Sequence, residues 1–129
     1  MGSEAINKYR ALIVDDEIDI CYLIKGILRY MNIEADYVTS LSDARNILKS
    51  SDPPLIFLDN HLSDGLGIEY ISTIKQEHPD SKIVMITAHD TATDRQKAYH
   101  EGVDFFIGKP FTRDTIIKTV EKIQAGIVE

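Results

Sequence analysis

The residues of this sequence best suited to chemistry on a charged group each follow a short apolar run. Asp15 and Asp16, with Glu17 after them, follow Ala11-Leu12-Ile13-Val14, and Asp59 closes Leu55-Ile56-Phe57-Leu58. Thr87 ends the run from Ile83, and Lys109 comes just after the run from Val103 to Ile107. Carboxylates brought to one place repel, and at an effective dielectric near 20 each pair about 4 Å apart costs on the order of 4 kcal/mol. A cation is needed among them. Mg2+ suits such a site, because it is usually held by one or two carboxylates while keeping several waters and a phosphate oxygen. Lys109 adds a second positive charge. The set suits in-line phosphoryl transfer, with a carboxylate oxygen of Asp59 as nucleophile and an aspartyl phosphate as product.

The elements that must position these residues follow from periodicity. Ala11 to Val14 reads as a buried strand, and Ile20, Ile24, Ile27, Leu28 and Met31 recur at helical spacing up to a left-handed cap at Asn32. Ala35 to Thr39 reads as a second strand. Ser42 is the expected N-cap of a short helix carrying Ala44, Ile47 and Leu48, which Asp52-Pro53-Pro54 stops before the strand at Leu55. Ile68, Ile71 and Ile74 predict a helix ending near His78-Pro79, and Ile83 to Thr87 a fourth strand. A helix over roughly Thr93 to Glu101 has only Ala98 and Tyr99 as apolar anchors before Gly102 caps it, so its docking should be weak. Val103 to Ile107 is the fifth strand, Gly108-Lys109-Pro110 a loop, and Thr112 caps a last helix bearing Ile116, Ile117, Val120 and Ile123.

Strands of continuous apolar character alternating with helices predict an α/β fold: a doubly wound, five-stranded parallel sheet with five flanking helices. In such sheets ligands bind beyond the carboxyl ends of the strands, where the strand order reverses. All the residues of the opening set fall there. With 129 residues and 43% hydrophobic content the chain fits one domain. A net charge of -7 and a pI near 5.0 argue against direct nucleic acid binding. The lone Cys21 excludes an intrachain disulfide, and no apolar run is long enough for a signal peptide or membrane span, so a reducing, cytoplasmic setting without membrane contact is expected.

Taken together, Asp15-Asp16-Glu17, the strand-closing Asp59, Thr87-Ala88, and Lys109-Pro110 preceded by Phe106 resemble a response-regulator receiver domain of two-component phosphorelay signalling. The resemblance runs from about Tyr9 to Gln124. It implies the flavodoxin-like strand order 2-1-3-4-5, a receiver domain over 9–125, an extension or expression scar over 1–8 and a tail over 126–129. It also implies Asp16, Asp59 and the backbone carbonyl of His61 as Mg2+ ligands, with Asp15 acting mainly through water. Asp59 would take a phosphoryl group from a phosphohistidine of a sensor kinase or phosphotransfer protein. Thr87 and Phe106 would then serve as the switch, and a cis peptide bond would join Lys109 to Pro110. An output domain or a homodimer would use the last strand and last two helices. The resemblance implies a signalling phosphoacceptor, with self-catalysed phosphorylation and autodephosphorylation, and not an enzyme.

Singly, each residue has an ordinary reading. Asp15 and Asp16 could cap a helix, Asp59-Asn60 could form a turn, Thr87 could be a plain strand residue, Lys109 a solvated lysine and Phe106 core. Those readings leave their shared sheet edge unexplained. His61 and His89, two residues past Asp59 and Thr87, are candidates for tuning the lifetime of the aspartyl phosphate, or for holding a stray transition metal. Ser63 and Leu66 depart from the common receiver pattern, which places the difference in the loop after Asp59. Two other classes stay open: a phosphate-independent adaptor, and an aspartate-nucleophile phosphatase or transferase. Such hydrolases typically carry a second acid where this chain has His61. A stand-alone receiver and a piece of a larger regulator or hybrid kinase are both compatible with the sequence.

Overall fold

The computed structural model describes residues 9 to 127. The expected extension over 1–8, and 128–129 of the expected tail, lie outside the described residues. In chain order the elements are β1 (Arg10–Val14), α1 (Ile18–Tyr30), β2 (Glu34–Val38), α2 (Leu41–Leu48), β3 (Leu55–Asp59), β4 (His61–Leu62) and β5 (Gly65–Leu66). A 3-10 turn (Gly67–Tyr70), α3 (Ile71–Glu77), β6 (Lys82–Thr87), α4 (Ala92–Glu101), β7 (Phe105–Gly108) and α5 (Arg113–Gln124) complete them.

Successive side chains on a strand point to opposite faces, so each apolar run feeds two cores at once. Ala11, Ile13, Leu55, Phe57, Val84 and Ile86 pack under α1 and α5, while Leu12, Val14, Ile56, Leu58, Ile83 and Met85 pack under α2, α3 and α4. Helices thus cover both faces. The main sheet is parallel throughout, in the order β2-β1-β3-β6-β7. With the small antiparallel hairpin β4–β5 set aside, this is the expected order 2-1-3-4-5. The order reverses between β1 and β3, and the carboxyl ends of those strands carry Asp15, Asp16 and Asp59.

Element ends differ from expectation for local reasons. Ser40, not Ser42, caps α2, its hydroxyl accepting the Asp43 N–H at 3.0 Å. Leu41 is buried as the first helical residue, and the Asp64 carboxylate accepts the N–H groups of Leu41 and Ser42 at 2.9 Å each, which moves the start forward. Thr91 begins α4 in the same way, accepting from the Asp94 N–H. Thr112 caps α5 and Asn32 has φ 63°, both as expected. Gly102, at φ 114°, ends α4, and Val103 is still spent on closing it, donating its N–H to Ala98 O at 3.1 Å. The last strand therefore begins at Phe105.

Candidate functional site

The carboxylates of Asp15, Asp16 and Asp59 offer oxygens that all lie within 4.8 Å of one another. Their positions come from the sheet: β1 pairs with β3, so the two strands end side by side. Asp59, although it closes a strand, is not an exposed carboxylate. It is only 5% exposed and Asp15 only 2%, whereas Asp16 is open to solvent. The loop after Asp59 is tied down close behind it. Gly67 N–H donates to Asn60 O at 2.8 Å, and the buried Asn60 side chain accepts from Ile68 N–H at 2.9 Å. A Cβ at Gly67 would collide with the Asp59 carbonyl, so only glycine lets the chain pass behind the site.

Burial, then the nearby Asp15 charge, pushes the Asp59 carboxyl up to about 7, with Lys109 offsetting part of the rise. Asp15 is also raised, chiefly by burial, against the hydrogen bond from Glu17 N–H and the Lys109 ammonium. The Lys109 ammonium lies 3.0 Å from Asp15 Oδ2, 2.7 Å from Glu17 Oε1 and 3.6 Å from Asp59 Oδ1. Its own burial disfavours the charge, but these hydrogen bonds and the neighbouring carboxylates outweigh it and hold the group at about 12. The ammonium stays charged.

This donor set, all oxygen and overcrowded with negative charge, fits a hard divalent cation such as Mg2+. The Asp59 carboxyl is raised first by burial and then by the Asp15 charge, and a cation at the site would offset both.

Thr87 ends β6 beside Asp59 and is buried, its Oγ1 accepting the His89 N–H at 3.1 Å. His61 and His89 come together from separate loops, with ring centroids 4.1 Å apart and planes at 39°. Both residues are exposed, and His61 is held in the β4–β5 hairpin opposite Leu66. Phe106 stands apart from the carboxylates. Its ring lies in the three-helix core, 6% exposed, with the Arg95 guanidinium 4.7 Å above it and Arg95 in turn paired to Asp90 at 2.8 Å. The Lys109–Pro110 bond is cis.

Sequence reading did not assign the contact of Glu17 with Lys109, the Asn60 brace, the Gly67 passage or the Asp64 cap. For Glu17 the signal was present, an acid directly after the pair. The others depend on how a loop folds over itself, and periodicity is blind to that.

A family profile described as response regulator receiver domain matches residues 11–121. Over 113 residues the chain is 36% identical to the nitrogen assimilation regulatory protein NtrX of Azorhizobium caulinodans, covering 86% of this chain and 25% of that protein. This chain therefore spans about a quarter of the length of that relative. A solved two-component response regulator from Clostridium difficile superposes with a TM-score of 0.87 at 27% identity, over 92% of this chain and 97% of the other. The beryllofluoride-activated NtrC4 receiver domain dimer does so at 0.83 and 33% identity, over 88% of this chain and 93% of its own.

Proposed function

We infer that this chain, which belongs to the response regulator receiver domain family, accepts a phosphoryl group on Asp59 from a phosphohistidine of a sensor kinase or phosphotransfer protein and signals by changing conformation. One observation carries the reading: a buried carboxylate at a strand end sits within 4.8 Å of two more and 3.6 Å from a lysine ammonium. Asp16, Asp59 and the His61 carbonyl would hold Mg2+, with Asp15 acting through water. The ion supplies positive charge that favours ionised Asp59 and offsets charge on the transferring group.

Ionised Asp59 then attacks phosphorus in line. The donor's P–N bond breaks with its electron pair staying on the imidazole nitrogen, and an O–P bond forms. Lys109 pairs with a phosphoryl oxygen. Thr87 releases the His89 N–H and turns its hydroxyl to another, and Phe106 repacks beneath Arg95. His61 and His89, whose rings meet from the loops after Asp59 and Thr87, limit water attack on the acyl phosphate. Single His61→Ala and His89→Ala variants should each change the decay rate.

Partner surfaces follow from the same placement. Ile18, Tyr22 and Leu23 are exposed on α1, whose first turn adjoins Asp15 and Asp16, and provide apolar footing for a protein donor. A groove lined by Arg95, Phe106, Ile107, Phe111 and Lys118 on the α4–β7–α5 side suits an output domain or a second receiver. The setting is cytoplasmic.

The test is incubation with Mg2+ and a small phosphodonor. The expected result is a mass gain of one phosphoryl group, absent in Asp59→Asn. Rapid turnover of phosphomonoesters would instead mark a hydrolase, and no reaction an adaptor.

A further inference from the structure

In the resting protein the Lys109 ammonium is closer to Glu17 and Asp15, at 2.7 and 3.0 Å, than to Asp59 at 3.6 Å. An ammonium has three N–H donors, and two are engaged away from the phosphoacceptor. Glu17 stands at the N-cap position of α1, yet its side chain makes no capping bond. Its backbone is fixed instead: the N–H donates to Asp15 Oδ1 at 2.9 Å, and the carbonyl accepts from Ile20 and Cys21. The carboxylate is thereby free to reach Lys109 across the sheet edge. The two acids differ in setting. Asp15 is buried and braced, whereas the Glu17 side chain is 61% exposed, so Glu17 can give up Lys109 and regain water.

The geometry points to Glu17 as a positioning residue that holds the Lys109 ammonium in a standby place off Asp59, to be exchanged for a phosphoryl oxygen as the group arrives. This rests on the phosphoacceptor reading. Glu17 makes and breaks no covalent bond; one N–H of Lys109 changes its acceptor. Its carboxylate sets how readily lysine serves the transfer, and so how fast Asp59 is phosphorylated without altering the metal ligands.

The experiment compares wild type, Glu17→Gln, Glu17→Asp, Lys109→Ala and the Glu17→Gln/Lys109→Ala double variant with phosphoramidate at saturating Mg2+. Glu17→Gln should raise the rate constant at saturating donor about 3- to 10-fold with the half-saturating donor concentration unchanged. Glu17→Asp, still charged but shorter, should fall between. In the Lys109→Ala background the gain should shrink below about two-fold, the signature of residues that act through each other. In metal-free protein, the Lys109 ammonium resonance should shift in Glu17→Gln. A Glu17→Gln rate at or below wild type overturns the assignment, as does a gain that survives Lys109→Ala or an unmoved ammonium resonance. A change confined to half-saturation also overturns it, leaving only repulsion of an anionic donor. A wild type that gains no phosphoryl mass removes the phosphoacceptor reading itself, and with it the role of Glu17.

Discussion

Asp59 is where folding and function pull against each other. Its carboxyl is raised to about 7 by burial and by the Asp15 charge, whereas in an unfolded chain it titrates near 4, at about 3.9. Between those values the folded state binds the extra proton, so the contribution of this residue to stability falls as pH rises through that window. Raising a carboxyl from near 4 to about 7 corresponds to roughly 3 to 4 kcal/mol. Asp59→Asn should therefore stabilise the metal-free protein by about 2 to 4 kcal/mol at pH 8 and hardly at all near pH 4. Urea denaturation of both proteins at pH 4, 6 and 8 measures this, and a gain independent of pH would count against the electrostatic account. Bound Mg2+ would relieve the same repulsion. It should raise the melting temperature of the wild type at pH 8 and leave Asp59→Asn nearly unchanged.

Helix ends and loop braces carry the next set of tests. Ser40→Ala should cost about 1 kcal/mol through loss of the α2 cap, while Ser42→Ala should be nearly neutral. Equal costs in thermal denaturation would reject the assigned start. The helix α4 has Ala98 as its one fully buried residue, against Cys21, Ile24, Ile27 and Leu28 for α1. Its amide hydrogens should exchange faster than those of α1 and gain protection with a phosphoryl mimic; equal protection in both states would remove α4 as the moving element. That weakness could be read from sequence, because it depends only on how many apolar residues recur at helical spacing. The placing of Asp15, Asp16, Asp59 and Lys109 at strand ends was readable for a similar reason, since each follows a short apolar run that reads as a buried strand, whereas the strand order came with the family resemblance and not from the runs themselves. The burial of Asp59 was not. Nor were the passage of Gly67 behind the Asp59 carbonyl and the Asn60 tie across the loop, contacts between residues with no periodic signature. The Asp64 cap on α2 lies beyond reach for the same reason, because its partners are 22 and 23 residues away.

Across the molecule, the acidic groups and Lys109 gather at one end of the sheet, and in the proposed phosphotransfer the surface around that end decides which donor can reach them. Ile18, Tyr22, Leu23 and Tyr30 of α1 are 40%, 59%, 48% and 71% exposed, and only Ile127 joins them among the exposed large hydrophobics of the described residues. Scattered single exposures need no explanation, but Ile18, Tyr22 and Leu23 fall in the first two turns of a helix that begins beside Asp16, and in the proposed phosphotransfer they are the footing for a protein donor. Leu23 has no place in the acidic site, so replacing it separates docking from chemistry. Leu23→Asp puts a charge in the apolar patch and should slow transfer from a phosphohistidine protein about tenfold or more, the size of effect seen when a central apolar contact is lost. The same variant should react with phosphoramidate within about twofold of wild type, because Lys109 and the carboxylates are untouched. Measuring both rates on one preparation decides the matter. If the two rates fall together, the substitution has disturbed the site; if neither falls, the donor lands elsewhere and the apolar face of α1 has another use.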